Sequence, residues 1–381
     1  MQIGIRDASS LSYIPGLDGV RAIAVLVVMT FHFTAGFVPQ LRLLGVGWQV
    51  FAGVAGTGWV GVDIFFVLSG YLIAKVLKTR PVSSIAGYSN FIGRRFRRLA
   101  PPYIFCLLVF GAVAWLFVPG SKAFNNQYLL WTLTSNIEAS FGDRNALGDP
   151  YFSLVHFWSL AVEWHFYLLF PLLVFMTGSV KRAAGVLVAA ALACRMAFVH
   201  FGVSDNAIYS FSLCRADSLA LGCLLACINL NDYKRYRSAA GLIGVLVFVA
   251  LLSSLALDSK PFKMVSWLQM VGYTALSVAI AMMLFAVLQS SPQSKVTRAL
   301  EQKWLVWIGR ASYSLYIWHL VFFPWIQATV ARQNYDIRLQ YLLTLVISMS
   351  VSFLAGSISF RFIEAPFMRR RHLSKASVAS T

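Results

Sequence analysis

Long apolar runs alternate with short basic or polar clusters along the whole chain. Ala22 to Phe31, Ile104 to Val118 and Gly241 to Leu257 contain no ionised side chain, and with their flanks they approach the roughly 20 residues that cross a bilayer as a helix. Charge clusters and turn residues divide the sequence into about ten predicted helices, near 17–38, 56–77, 99–118, 157–177, 183–201, 210–228, 239–257, 267–289, 305–327 and 340–361. The expected fold class is therefore all-α, a polytopic membrane protein of about ten transmembrane helices. The first run contains Asp18, Arg21 and His32 and lacks a small-residue cleavage site, so it is expected to stay as the first spanning helix rather than act as a signal peptide.

Composition agrees with this pattern. Of 381 residues, 59% are hydrophobic and 12% charged, against about 25% charged in soluble domains. The net charge of +18 sits in short connections rather than on one polar surface, which argues against nucleic acid as a partner and for topology. An even number of helices puts both termini on one side. Lys75, Lys78, Arg80, Arg94, Arg95, Arg97, Arg98, Lys181, Arg182, Lys234, Arg235, Arg237, Lys295, Arg298, Lys303 and Arg369 to Arg371 gather on that side, whereas the other holds Arg42, Lys122, Arg144, Lys260, Lys263, Arg332 and Arg338. The positive-inside rule then makes both termini cytoplasmic. The longest outer loop, about 119–156, is polar but too short for a separate domain. Cys106, Cys194, Cys214, Cys223 and Cys227 all fall in apolar stretches without paired CxxC spacing and read as small core residues, with no metal expected.

An ionisable group inside a spanning helix is costly unless paired or hydrated, so each is a candidate for function. A helical rise of about 1.5 Å per residue sets His32 roughly 16 Å above Arg21, Asp63 roughly 18 Å above Lys75 and His319 roughly 13 Å above Arg310. All three fall near one depth. Glu163, counted from Lys181, falls roughly 27 Å up, close to the outer boundary. A neutral imidazole oriented by a carboxylate can take the proton of a hydroxyl attacking a thioester, and Asp63 or a neighbouring polar group is expected to fix the tautomer of His32. The same histidine can equally tie helices together through a backbone carbonyl. The segment Phe91 to Pro102, FIGRRFRRLAPP, reads either as a topology signal or as guanidinium forks for the phosphates of an acyl carrier.

Taken in order, LDGVRAIAVLVVMTFH (17–32), GVDIFFVLSGYLI (61–73), RRFRRLAP (94–101), HFWSLAVEWHFYLLFP (156–171), GRASYSLYIWH (309–319) and FRFIEAPF (360–367) resemble the acyltransferase-3 family of integral membrane acyltransferases. The resemblance implies ten helices, with acetyl-CoA as cytoplasmic acyl donor. It carries the family's essential Arg and His of the first helix onto Arg21 and His32, its RxxR pattern onto Arg95 and Arg98, and its WSLxxE pattern onto Trp158 and Glu163. His32, Arg21, Asp63 and Glu163 are accordingly expected to be catalytic, Arg95 and Arg98 to bind the donor, and His156, Trp158 and His319 to bind substrate. Trp164 and His165 depart from the Glu-Gln common in relatives.

The sequence is expected to divide into a cytoplasmic segment (1–16), the transmembrane acyltransferase domain (17–367) and a basic cytoplasmic tail (368–381). The implied reaction is O-acylation of a glycan or glycolipid at the bacterial inner (plasma) membrane. Some relatives carry a fused SGNH domain; here a separate extracytoplasmic transferase is the expected substitute if one is needed. The alternative from another class is a proton-coupled transporter or flippase, since mid-membrane ionisable groups suit both.

Overall fold

The computed structural model describes residues 13–257 and 265–368. Most of the 1–16 segment, the tail from 369 on with Arg369 to Arg371, and Lys260 and Lys263 lie outside the described residues. Within them the protein is helical throughout; the pairing nearest to a strand is an isolated bridge between Gly148 and Ser153. The principal helices are α1 (Leu17–Ala35), α2 (Val46–Gly56), α3 (Gly61–Thr79), α4 (Ile85–Phe117), α5 (Trp158–Thr177), α6 (Val180–His200), α7 (Ser212–Cys227), α8 (Arg237–Leu257), α9 (Tyr273–Leu288), α10 (Lys303–Trp318), α11 (Phe323–Ala331) and α12 (Ile337–Ser359).

Nine helical segments among the described residues are long and apolar enough to cross a membrane. The chain is an all-α multi-pass membrane protein. Three boundaries differ from the sequence-based expectation. The second span is longer than 56–77, because α2, a short 3-10 turn and α3 run on as one segment, Val46–Thr79. The third helix starts at Ile85 rather than near 99, where the Ser84 hydroxyl accepts from the Gly87 N–H at 3.1 Å and caps it. The region expected to be one helix over 305–327 is broken at His319. Pro324, in the first turn of α11, has no N–H to return to the preceding turn, so the chain restarts there.

The centre of the bundle is unusually close-packed. α7 lies against α3 with glycines at the crossing: a Cβ on Gly70 would stand 1.8 Å from the Leu219 carbonyl oxygen, and one on Gly222 would stand 2.0 Å from that of Val67. α10 approaches α1 in the same way, at Gly309 against Asp18. Without a hydrophobic drive between helices in lipid, such small-residue contacts supply the packing. They also bring polar side chains of α1, α3, α5, α7 and α10 into register inside the bundle.

Candidate active site

Because α4 already includes Arg95 and Arg98, their spacing of three puts them on one helix face. That face opens onto a pocket that α1 and α5 also line. Arg21, Arg95, Arg98 and Glu163 line a single pocket together with Ser69, Ser159, Tyr167, Ser312, Tyr313 and Tyr316. Arg21 donates from Nε to the Ser312 hydroxyl at 3.2 Å. The Arg95 guanidinium lies 5.7 Å from the Phe91 ring centre and 5.5 Å from that of Tyr167, which orients the fork without consuming its donors. Neither Arg95 nor Arg98 has a hydrogen-bond or ion-pair partner among the described residues. Three guanidinium groups thus face one carboxylate. Glu163 itself accepts hydrogen bonds from Ser69 and Tyr167.

Three imidazoles come together beyond this pocket. His32 Nδ1 and His319 Nε2 are 3.0 Å apart, and the His156 ring centre is 4.5 Å from that of His319 and 6.4 Å from that of His32. The break between α10 and α11 frees His319 from the helix interior, and the 3-10 turn Val155–Phe157 before α5 carries His156. His156 Nε2 lies 3.3 Å from the Ile317 carbonyl oxygen, which can only accept, so that nitrogen carries the proton. Its Nδ1 is buried without a partner among the described residues. Ser159 and Tyr316, joined hydroxyl to hydroxyl at 2.6 Å, line the arginine pocket, and whichever of the two accepts in that bond donates its own proton to the His156 carbonyl, 3.2 and 3.3 Å away respectively. They form a partition between pocket and histidines.

The structure thus brings Arg21, Arg95, Arg98 and Glu163 together, and His32, His156 and His319 together, but not as one group. Asp63 is not the carboxylate that holds His32 through the Nδ1 contact; His319 occupies that position. Asp63 instead accepts from Arg215 at 2.6 Å and Ser218 at 3.1 Å, with both charged side chains wholly buried. Glu163 is not on a separate outer level: it shares the pocket of the donor-binding candidates. The count from Lys181 misled because Arg95 and Arg98 sit ten and thirteen residues into α4, not at its mouth. Trp158 lies outside the pocket lining, packed 4.8 Å from the Tyr209 ring centre. Asp18 pairs with Arg310 at 3.3 Å rather than with Arg21.

Residues that sequence reading passed over complete the network. Arg195 on α6, fully buried, pairs with Asp217 at 2.9 Å and bonds Thr274; it was hidden in a run of alanines and is an intramembrane charge like the others. Glu364, buried, accepts from Ser314 at 2.7 Å. Ser69, Tyr167, Ser159 and Tyr316 carry no signal in a hydropathy pattern and emerge only from packing. Among the described residues no group of three or more His, Cys, Asp or Glu is placed to hold a metal.

A family model described as an acyltransferase domain, acyltransferase-3, matches residues 14–357. The chain belongs to this acyltransferase family. It is 30% identical over 387 aligned positions to the peptidoglycan O-acetyltransferase OatA of Listeria monocytogenes, covering 94% of this chain and 56% of that protein. It is 28% identical to the O-acetyltransferase OatA of Staphylococcus aureus, covering 94% and 58%. The chain therefore spans a little over half the length of these relatives. No solved structure matches it. Within the acyltransferase-3 match lie all nine residues expected to form the site.

Proposed function

We propose that this acyltransferase is an O-acetyltransferase that moves an acetyl or similar short acyl group from cytoplasmic acyl-CoA to a hydroxyl of an extracytoplasmic glycan or glycolipid, across the bacterial inner (plasma) membrane. The observation that carries this reading is the pocket in which Arg21, Arg95 and Arg98 converge, two of the three lacking an acceptor among the described residues. Guanidinium forks without acceptors in a partly desolvated pocket suit phosphates, which coenzyme A supplies. The basic residues on the connections support a cytoplasmic side for the arginine end of that pocket, where acyl-CoA is made.

The donor's arm runs from the arginines along α1, and eleven residues of helix separate Arg21 from His32 by roughly 16 Å. Movement of the Ser159 and Tyr316 side chains opens the way between them. The acceptor hydroxyl gives its proton to His32 while its oxygen attacks the thioester carbonyl; the tetrahedral adduct collapses, the C–S bond breaks and the thiolate leaves, taking up the proton that His32 holds. Ester and free coenzyme A are the products. Peptidoglycan is the first acceptor to test, since the Listeria monocytogenes relative is named for it, and a separate extracytoplasmic transferase can complete delivery.

The test is purified protein in lipid nanodiscs with acetyl-labelled acetyl-CoA and glycan acceptor. Labelled ester that requires His32, with release of coenzyme A, is the expected result. Glycan or proton movement without ester would favour the transporter instead.

A further inference from the structure

We infer that His319 is a positioning residue that fixes the tautomer of His32, and that the nitrogen of His32 acting as base is Nε2. The inference rests on the acyl-transfer reading above and specifies how its base is prepared. His319 Nδ1 lies 2.7 Å from the Tyr316 carbonyl oxygen, and a carbonyl oxygen only accepts, so Nδ1 of His319 carries a proton. His319 is 2% exposed, and a charged imidazole buried there, with no carboxylate partner among the described residues, would cost several kcal/mol. The ring is therefore neutral, and its Nε2 holds a lone pair.

Across the 3.0 Å contact, that lone pair requires a donor. His32 Nδ1 is the atom facing it, so His32 is protonated at Nδ1 and keeps its own lone pair on Nε2. Carbonyl, His319 and His32 thus form a directed chain of two hydrogen bonds in which each link dictates the next. This chain does what an orienting carboxylate does for other catalytic histidines, with one difference: no negative charge is brought into the membrane. The ring of His319 is held on its other sides by the His156 ring and by Phe33, 6.2 Å away between centres. The Ser352 hydroxyl donates to the His319 carbonyl at 3.3 Å, which anchors the turn on α12.

The experiment compares His319→Leu with His319→Gln in the full-length protein. Leucine removes the acceptor, whereas the glutamine side-chain oxygen can reach the position of Nε2 and accept from His32. For His319→Leu the expected result is a fall in kcat of about 10²-fold, the lower end of what a misplaced general base costs, with KM for acetyl-CoA within about two-fold of wild type. For His319→Gln, most of that loss is expected to be recovered. Equal loss in both variants, or no loss in either, overturns the inference.

A second readout needs no turnover. In protein labelled with ¹⁵N-histidine, the resonances that vanish in His32→Ala are expected to show a protonated Nδ1 and a bare Nε2. A protonated Nε2 with bare Nδ1 overturns the assignment even if His319→Leu fails to fold. This readout can fail while the transferase reading stands, and it can succeed in a protein that transfers nothing.

Discussion

Arg215 on α7 and Asp63 on α3 meet at 2.6 Å with both side chains fully excluded from solvent, and the guanidinium lies flat over Tyr273 with 4.2 Å to its ring centre. The pair sits about two turns along the same helices from Gly70 and Gly222, which bring them into backbone contact. Its position makes Asp63 a tie between helices rather than a partner of the base. Removing one member of a buried pair leaves an uncompensated charge, at a cost of about 3–5 kcal/mol. Asp63→Ala is expected to lose most folded protein in detergent, measured by fluorescence-detected gel filtration. The double substitution Asp63→Leu with Arg215→Met is expected to restore a substantial part of that yield. A fully stable Asp63→Ala protein would contradict the structural role.

Arg95 and Arg98 are expected to contribute their geometry as well as their charge. Replacing both with lysine keeps the positive charge on this side of the membrane while losing the bidentate fork. The double variant should insert normally and bind acetyl-CoA about ten-fold more weakly by calorimetry, the order of one lost charge-assisted hydrogen bond. Arg97→Lys, altering an exposed neighbour outside the pocket lining, should leave affinity unchanged.

Glu163 is the carboxylate in a pocket of three arginines. Glu163→Gln retains the shape that Ser69 and Tyr167 hold but removes the charge. Turnover is expected to fall about 10²-fold, while acetyl-CoA affinity stays equal or rises, because one repulsive term toward the donor's phosphates is gone. Weaker donor binding in this variant would mean that the carboxylate organises the arginines rather than the reaction.

Gly70 gives a test of packing independent of chemistry. An alanine there places its Cβ 1.8 Å from the Leu219 carbonyl oxygen, so α3 and α7 must separate. The cost should exceed the roughly 1–3 kcal/mol of ordinary overpacking. Gly93→Ala, where nothing lies within 4 Å, is the control. It should hold or raise the melting temperature, since alanine favours helix by about 0.5–1 kcal/mol over glycine.

The hydropathy pattern was sufficient for the fold class because a bilayer imposes one rule on every span: about 20 apolar residues, all backbone groups bonded within the helix. Depth counting also set His32 level with His319, and these two do meet. It misjudged Glu163 because a count needs a reference at the membrane surface, and Lys181 and the arginines of α4 are not equivalent references. The starting point of α4 was invisible for the same reason: FIGRRFRR looks like the end of a loop when charge marks loops, yet it is helix facing a polar pocket. Asp63 and Arg215 were both legible as intramembrane charges, but their pairing required the glycine crossing of α3 and α7. Hydroxyl groups such as those of Ser159 and Tyr316 are neutral in any hydropathy scale, so the partition they form had no trace in the sequence.

That partition has an electrical consequence. A membrane carrying a proton-motive force tolerates no continuous file of water from one face to the other, and an enzyme that joins a donor on one face to an acceptor on the other is at constant risk of opening one. Here the arginine pocket and the histidines are divided at the Ser159 and Tyr316 hydroxyls, 2.6 Å apart, and the main chain of Tyr316 also holds His319. In the proposed mechanism, sealing and base orientation therefore both depend on Tyr316. Under the proposed transfer across the membrane, opening the seal without substrate would leak protons and expose the thioester to hydrolysis, so the same tyrosine would both insulate the cell's energy supply and protect its acyl donor from waste.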